Sequence, residues 1–495
     1  MINARGPAVS PTAAPRFFSP PLSVAIVGAG PAGIHAASAL AELAPGTKTD
    51  VFERLPTPYG LVRYGLAPGH PESETFVHSL HTALGTSDFR LFCNVEIGKG
   101  LSVEVLRSSY DAVIIATGAP RDVPLDIPGV DLPGSFGGAD FVGWYNDHPD
   151  SSPQWPLNAE SVAVIGGGNV ALDVARMILA EEQSLQATDV SADVRKGFAE
   201  SLAREVHIFV RRGPADARFS PNELRALGEL PGVDVVVDAA DVAPDRHIER
   251  MSKQLVHTRL AVETLRTFAG AASADRIAQR RVHLHFYRQP AEILGNGKVE
   301  ALRVERTDPD GYGHVTASGA CTDYPVQAVY RAIGFRGTPL AGVPFDHGRG
   351  TVPHQSGAVV DESGLPITGL FVTGWMKRGA VGLIGAARPD ARQTVETMLR
   401  QLDSNVERRS DRSRIAALLA AGKLLPVDWD GWLRIDAAER DLGARHGRDR
   451  VKIKDREDLV RIGGKLPAHP GAKLPVHPGA KLPVHPGAKL PVHPE

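Results

Sequence analysis

Cysteine is nearly missing from this chain of 495 residues: there are two, Cys93 and Cys321, far apart and in no C-x-x-C spacing. That count excludes a disulfide scaffold, a Cys-ligated zinc ribbon, a Cys-ligated iron–sulfur cluster and a dithiol redox pair. Long hydrophobic runs are missing too, and no stretch of about 18 apolar residues reads as a membrane span. Excess charge of one sign is also lacking, because 55 Lys+Arg face 57 Asp+Glu for a net −2. A nucleic-acid binder working through a bulk basic field is thereby excluded. With 42% hydrophobic residues the chain is long enough for two or three domains with their own cores. The expected setting is the cytoplasm of a bacterium, and the oligomeric state is unreadable, a monomer being compatible.

Both ends differ from the rest. Residues 1–22 are rich in Pro, Ala and Ser, with Arg5, Arg16 and no acid. They read as a disordered leader; an organelle-targeting peptide shares that composition, but the prolines interrupt the helix it would need. From Gly463 the chain reads GGKLPAHP, then GAKLPVHP three times, closing on Glu495. Two prolines and a glycine in every eight residues cannot build a helix or a packed core. Residues 463–495 therefore read as a disordered tail, and its regularly spaced histidines as part of that tail rather than a metal site.

Between the ends, short apolar β runs alternate with helical stretches. Ser23–Val27, residues 50–52 and 111–116 are the first such runs, and a Pro/Gly-rich passage at 120–156 reads as a domain crossing. The pattern restarts at Ser161–Ile165. An Ala/Glu/Arg-rich helical stretch at 181–203 follows, then strands at Glu205–Val210, 233–238, 281–287, 328–333 and 369–373. Such alternation means an α/β fold with mostly parallel sheets.

The first run enters GAGPAG, with Gly28, Gly30 and Gly33 in the G-x-G-x-x-G spacing. The first glycine makes a tight turn, the second lets backbone approach a pyrophosphate, and the third allows close helix–sheet packing. The helix N-terminus offers N–H groups and a positive dipole end to phosphates. Glu53 closes the next strand about twenty residues on, where an acid grips a ribose hydroxyl and repels a 2′-phosphate. The site suits FAD or NAD. The second run enters GGGNVA, with Gly166, Gly168 and Ala171 in the G-x-G-x-x-A variant. Its following strand ends in Arg211 and Arg212, whose guanidinium groups suit the 2′-phosphate of NADP. The doubled spacing to those arginines is accounted for by an insertion at 181–203.

A flavin beside a nicotinamide means hydride transfer between them. Disulfide reductases pass the electrons to a cysteine pair, which this chain lacks. Elimination leaves an external acceptor, such as a one-electron carrier protein.

Five stretches now resemble the adrenodoxin-reductase type of ferredoxin–NADP reductase. They are PTPYGLVRYGLAPGHP (56–71), GGGNVALDVAR (166–176), FVRRGPADARFSPNELRAL (209–227), YRAIGFRGTPLAGVPFD (330–346) and GWMKRGAVGLIGAARPDA (374–391). The resemblance runs in order over residues 20–460. It implies FAD contacts at Ala32, Glu53, Leu61, Val95, Trp375, Gly382, Leu383 and Ile384. It implies NADP contacts at Gly167, Gly168, Asn169, Val170, Arg211, Arg212, Glu223 and Gly382. Trp375 stands where two-dinucleotide flavoproteins in general carry Asp. His70 and Glu223 match the family's proton-handling and nicotinamide-positioning pair. By the residues alone, His70 is a solvated loop histidine and Glu223 part of an S-P-N-E capping box. Two positions depart from the family: Gly69 replaces Asp before His70, and Ala386-Ala387 replace Thr-Asn.

The expectation is an α/β protein of two dinucleotide-binding, Rossmann-like domains, with the NADP domain (119–328) inserted into a discontinuous FAD domain (23–118 and 329–462). Its expected activity is NADPH-to-FAD hydride transfer followed by reduction of a ferredoxin-like iron–sulfur protein, flow in reverse being open to it. The alternatives are reduction of quinones or other small acceptors, and a non-enzymatic redox sensor docking through its tail.

Overall fold

The structure is a computed structural model that describes residues 15–68, 73–85, 89–271, 278–382, 384–402, 411–422 and 425–464. His70, Leu383 and the repeats from residue 465 on lie outside the described residues, as does the first part of the leader. Residues 16–22 belong to the fold rather than to a leader. Leu22 is fully buried, and the Arg16 N–H donates to Leu43 O at 2.8 Å.

Two sheets organise the chain. The first runs in the order His354–Gln355, Ala358–Val360, Pro366–Val372, Ala112–Ile115, Ser23–Val27, Lys48–Phe52, Phe89–Phe92. Its last five strands are parallel, and the other two add an antiparallel edge. Ser23–Val27 is central and buried on both faces, Val24 and Ile26 in one cluster and Ala25 and Val27 in the other. That is why its sequence is a continuous apolar run rather than an alternation. The second sheet is wholly parallel, in the order Ser135–Gly137, Ala328–Arg331, Ser161–Ile165, Glu205–Val210, Arg280–Phe286, Val233–Val237.

The second sheet is built entirely from chain lying between two contributions to the first, so one Rossmann-like unit is inserted into another. A division at 328/329 falls inside the strand Ala328–Arg331, which pairs with Ser161–Ile165 and so belongs to the inserted unit. The passage at 120–156 is only partly a crossing. Arg121–Asp122 pairs with Phe335–Arg336 where the chain goes out and returns, but Ser135–Gly137 and the helix Gly138–Tyr145 already belong to the second unit. The stretch 181–203 is not one helix. A 3-10 turn at Glu182–Leu185 and a helix at Ala192–Ala199 are separated by a Thr-Asp-Val-Ser run, and Ser191 caps the helix through the Val194 N–H.

Sequence reading passed over an antiparallel sheet of Arg288–Leu294, Ala301–Pro309 and Val315–Pro325. It covers the face of the second sheet that carries Phe209. Its signals were the Asn296-Gly297 and Asp310-Gly311 dipeptides at the two hairpin turns.

C-terminal helices fasten the first unit. Glu439, on Trp429–Ala444, is fully buried and accepts from both Arg63 Nη atoms, one at 3.0 Å, and from Arg450 Nη1 at 2.7 Å. The Arg63 guanidinium also stands 5.4 Å over the Trp432 ring. Replacing Glu439 with Ala would strand the buried Arg63 guanidinium and leave Arg450 with Asp436 as its carboxylate partner. A loss of about 3–5 kcal/mol is expected, read as the shift in urea unfolding free energy.

Candidate functional site

Each Gly-rich turn sits between a parallel strand and a helix N-terminus. In the first, Gly28 has φ +111, and a Cβ there would collide with the Ala116 carbonyl at the end of the neighbouring strand. A Cβ on Gly33 would strike Gly28 O. A Cβ on Gly30 would meet nothing within 4 Å. The outer glycines are thus demanded by packing, whereas a side chain at Gly30 would enter open space. The helix Pro31–Leu43 begins there with Gly30 as N-cap and no side-chain cap, leaving its N–H groups for a ligand.

Expected flavin-side residues gather around this turn. Glu53 accepts from the Ala29 and Leu55 N–H groups, each at 2.9 Å. Burial pushes its carboxyl up, and the hydrogen bonds from Leu55 and Ala29 pull it back. Val95 is buried beside it, its N–H donating to Glu53 O at 2.8 Å. Gly60, the N-cap residue before Leu61, approaches Gly30 so closely that its Cβ would lie 3.2 Å from Gly30 Cα. Gly374, just before Trp375, has φ +70 and faces Ala32. Trp375 stacks on Phe335 of the return crossing at 6.2 Å. Gly382 is exposed at φ +85, and Ile384 packs at the edge of the first core. The helix Ala387–Gln401 starts at Ala386 without a side-chain cap, the consequence of the Ala386-Ala387 departure.

Asp390 was missed as a separate role. It accepts from the Gly374 N–H at 2.6 Å and from Thr373 Oγ1 at 3.1 Å, while Lys377 Nζ lies 2.9 Å from its other oxygen. Only the folded turn shows that one carboxylate holds the segment carrying Trp375.

The second turn repeats the first. Gly166 has φ +152 and its Cβ would collide with Ala332 O, a Cβ on Gly167 would press on Val210, and one on Gly168 would meet nothing within 4 Å. Asn169 Oδ1 accepts the Ser220 N–H at 2.7 Å, and Ser220 Oγ accepts the Glu223 N–H at 3.2 Å. The Asn169–Ile178 helix, which carries Val170, is thereby tied to the start of Pro221–Gly228, with Glu223 in its first turn. Arg211 is exposed, and its guanidinium has no partner among the described residues. Among the described residues, the Arg212 guanidinium has Asp216 as its one ion-pair partner, at 3.9 Å. Arg218 is a third cation that spacing did not disclose: it is exposed, and its N–H donates to Gly167 O at 2.6 Å.

A profile of the pyridine nucleotide-disulphide oxidoreductase family matches residues 22–391. The chain belongs to that family. It is 39% identical over 463 residues to the NADPH-ferredoxin reductase FprA of Mycobacterium tuberculosis, covering 90% of this chain and 99% of that one. The mitochondrial NADPH:adrenodoxin oxidoreductase of Arabidopsis thaliana is 34% identical over 467 residues, covering 90% and 97%. The solved structure of M. tuberculosis FprA in complex with NADPH matches with a TM-score of 0.83 at 38% identity, covering 90% and 99%. Unlike the disulphide reductases in the family's name, this oxidoreductase has no dithiol to use. Cys93 is buried in the first core and Cys321 is exposed on the hairpin sheet. No described helix is long and apolar enough to cross a membrane.

The two turns separate binding from folding. Gly30→Ala is expected to leave thermal stability within about 1 kcal/mol of the parent while weakening FAD retention. Gly28→Ala is expected to lose more than about 1 kcal/mol from strain alone. Melting curves with and without added FAD read both.

Asp122, at the crossing, accepts the Ala139 N–H at 3.1 Å and is pushed up to about 6 by burial, with Asp140 adding repulsion. Its ordinary value is 3.8, so the folded state holds this proton more tightly than the unfolded chain. The stability it contributes is complete below that value and is lost as pH rises through about 6. Asp122→Asn should therefore gain stability relative to the parent between pH 5 and pH 7, measured by paired melts.

Proposed function

We propose that this oxidoreductase takes hydride from NADPH onto FAD and passes the electrons singly to a ferredoxin-like iron–sulfur protein. The observation that carries the reading is the pair of turns. Each has two glycines locked by packing and one, Gly30 or Gly168, facing open space, the first turn backed by Glu53 and the second by Arg211 and Arg212.

Bound FAD supplies a hydride acceptor that can release electrons one at a time. The chain's own part is to hold and orient. Glu53, fixed by Ala29 and Leu55, faces the ribose of FAD, and the bare N–H groups after Gly30 face its pyrophosphate. Gly60, Leu61, Ala32, Val95, Trp375, Gly382 and Ile384 wall the remainder, with Asp390 setting the Trp375 turn. The N–H groups after Gly168, with Asn169 and Val170, take the pyrophosphate of NADPH. Arg211 and Arg212 take its 2′-phosphate, and Arg218 adds a positive charge at the same loop. Glu223 positions the nicotinamide end, and the family resemblance gives His70, outside the described residues, the proton-handling role. The near-absence of cysteine leaves the electrons to an outside carrier, in keeping with relatives named for ferredoxin and adrenodoxin.

An anaerobic visible spectrum tests the first half. A bound flavin should bleach promptly with one equivalent of NADPH and slowly with NADH; the absence of flavin after incubation with FAD would overturn the reading. Charged hydrogen bonds contribute about 1.5–3 kcal/mol each, so Arg211→Ala should raise KM for NADPH about 10–100-fold and leave NADH nearly unchanged. A ferredoxin should be reduced faster than a benzoquinone at equal concentration; the reverse order would sink the acceptor assignment.

A further inference from the structure

Away from both turns, three histidines stand together on one face of the second sheet. His283 and His285 are two apart on Arg280–Phe286 and so point to the same side. Val282, Leu284 and Phe286, on the opposite side, fill the core. His207, on Glu205–Val210, lies directly across from His283 in the parallel register. One candidate ligand atom from each of the three lies within 4.8 Å of the others.

We propose that His207, His283 and His285 form a binding site for a divalent transition-metal cation of the zinc class, independent of the nucleotide sites. Imidazole donors select that class over magnesium or calcium. Three histidines from a strand and its neighbour also leave a coordination position open, as three-ligand zinc sites do. Glu205 Oε2 lies 2.6 Å from His283 Nε2. This carboxylate–histidine contact orients the ring and leaves its other nitrogen for the metal. Arg281 Nη1 shares the same carboxylate at 3.1 Å.

His207 Nδ1 and His285 Nε2 share a hydrogen bond of 3.0 Å, and the three rings stack with planes within 19°. Tetrahedral zinc needs its nitrogens roughly 3.3 Å apart; the His207–His285 pair is already that close, so binding requires the His283 nitrogen to close in and the rings to turn out of the stack. Space for this exists in an adjoining cavity of about 480 Å³, lined by His283 and His285 and by Asp238, Asp241, Arg288 and Tyr324. Asp241 Oδ1 is buried there with no hydrogen-bond partner among the described residues, the Arg288 guanidinium lying 3.9 Å away.

The test uses the full-length, FAD-loaded protein and Zn2+ alone, by calorimetric titration and melting curves. Histidines 469, 477, 485 and 493 of the repeats contribute equally in parent and variants, so the difference reads the sheet site. His283→Ala and His285→Ala should each lose one equivalent of tight Zn2+ and the Zn2+-dependent rise in melting temperature. Free Zn2+ at a hundredfold over its Kd multiplies the folded-to-unfolded ratio about a hundredfold. Glu205→Gln, which keeps the three ligands, should weaken the same equivalent about 10–100-fold. Equal stoichiometry and equal stabilisation in parent and variants would overturn the proposal. So would a parent whose melting temperature does not move with Zn2+, which decides the matter even if the histidine variants fail to fold.

Discussion

Close approach of a helix to the end of a parallel strand, with no room for a side chain, is the constraint this molecule uses twice. Gly28 against Ala116 O and Gly166 against Ala332 O are the same contact in two sheets. In both, the neighbouring strand's terminal carbonyl occupies the space a Cβ would need, and positive φ turns the chain into the helix. The glycine two residues on, Gly30 or Gly168, then faces open space at the helix N-terminus. Nucleotide binding follows from a packing requirement met at a strand end, and the residues closing the following strands distinguish the two turns chemically.

A second set of interactions keeps these turns in register with the rest. The 56–65 loop lies on the first turn, with the Tyr59 N–H donating to Ala29 O at 2.8 Å and Tyr59 OH meeting Trp432 Nε1 at 3.2 Å. Arg63 on the same loop is neutralised by Glu439, and Glu439 by Arg450. Breaking such a buried pair costs far more than forming it gains, which makes the C-terminal helix a condition for the loop's position. The same C-terminal segment reaches the inserted unit. Arg448 donates to the Thr188 and Val190 carbonyls, Lys452 pairs with Asp189 at 3.0 Å, and Arg456 joins Arg54 on Asp150. Ala67, just past the loop, is buried in the second unit's core. The insertion at 181–203, which reads in sequence as an interruption of a motif, is a docking surface for the chain's other end.

Legibility followed the range of the interaction. Ser23–Val27, Ser161–Ile165 and Glu205–Val210 were readable to the residue, because buried parallel strands are short apolar runs bounded by glycine or charge. Glu53, Arg211 and Arg212 were readable because their roles follow from a fixed offset along one βαβ unit. The helix at 181–203 was overread, since helix-forming composition does not reveal where Ser and Asp will cap and interrupt. Ala328–Arg331 was given to the wrong sheet, since an apolar strand carries no mark of which sheet it will join. Asp390, Glu439, Arg218 and the three histidines were invisible, each acquiring its role from a partner far away in sequence.

Sequence by itself determined the two strand–glycine–helix units, the acid at one and the arginines at the other, and the lack of a thiol route for electrons. These depend on local spacing and on residue counts, which need no third dimension. Tertiary structure alone decided how one unit is threaded into the other and which buried carboxylates hold the loops in place. It also gathered three histidines from two strands onto a single face. Those decisions rest on contacts between residues separated by tens to hundreds of positions, for which sequence spacing carries no signal.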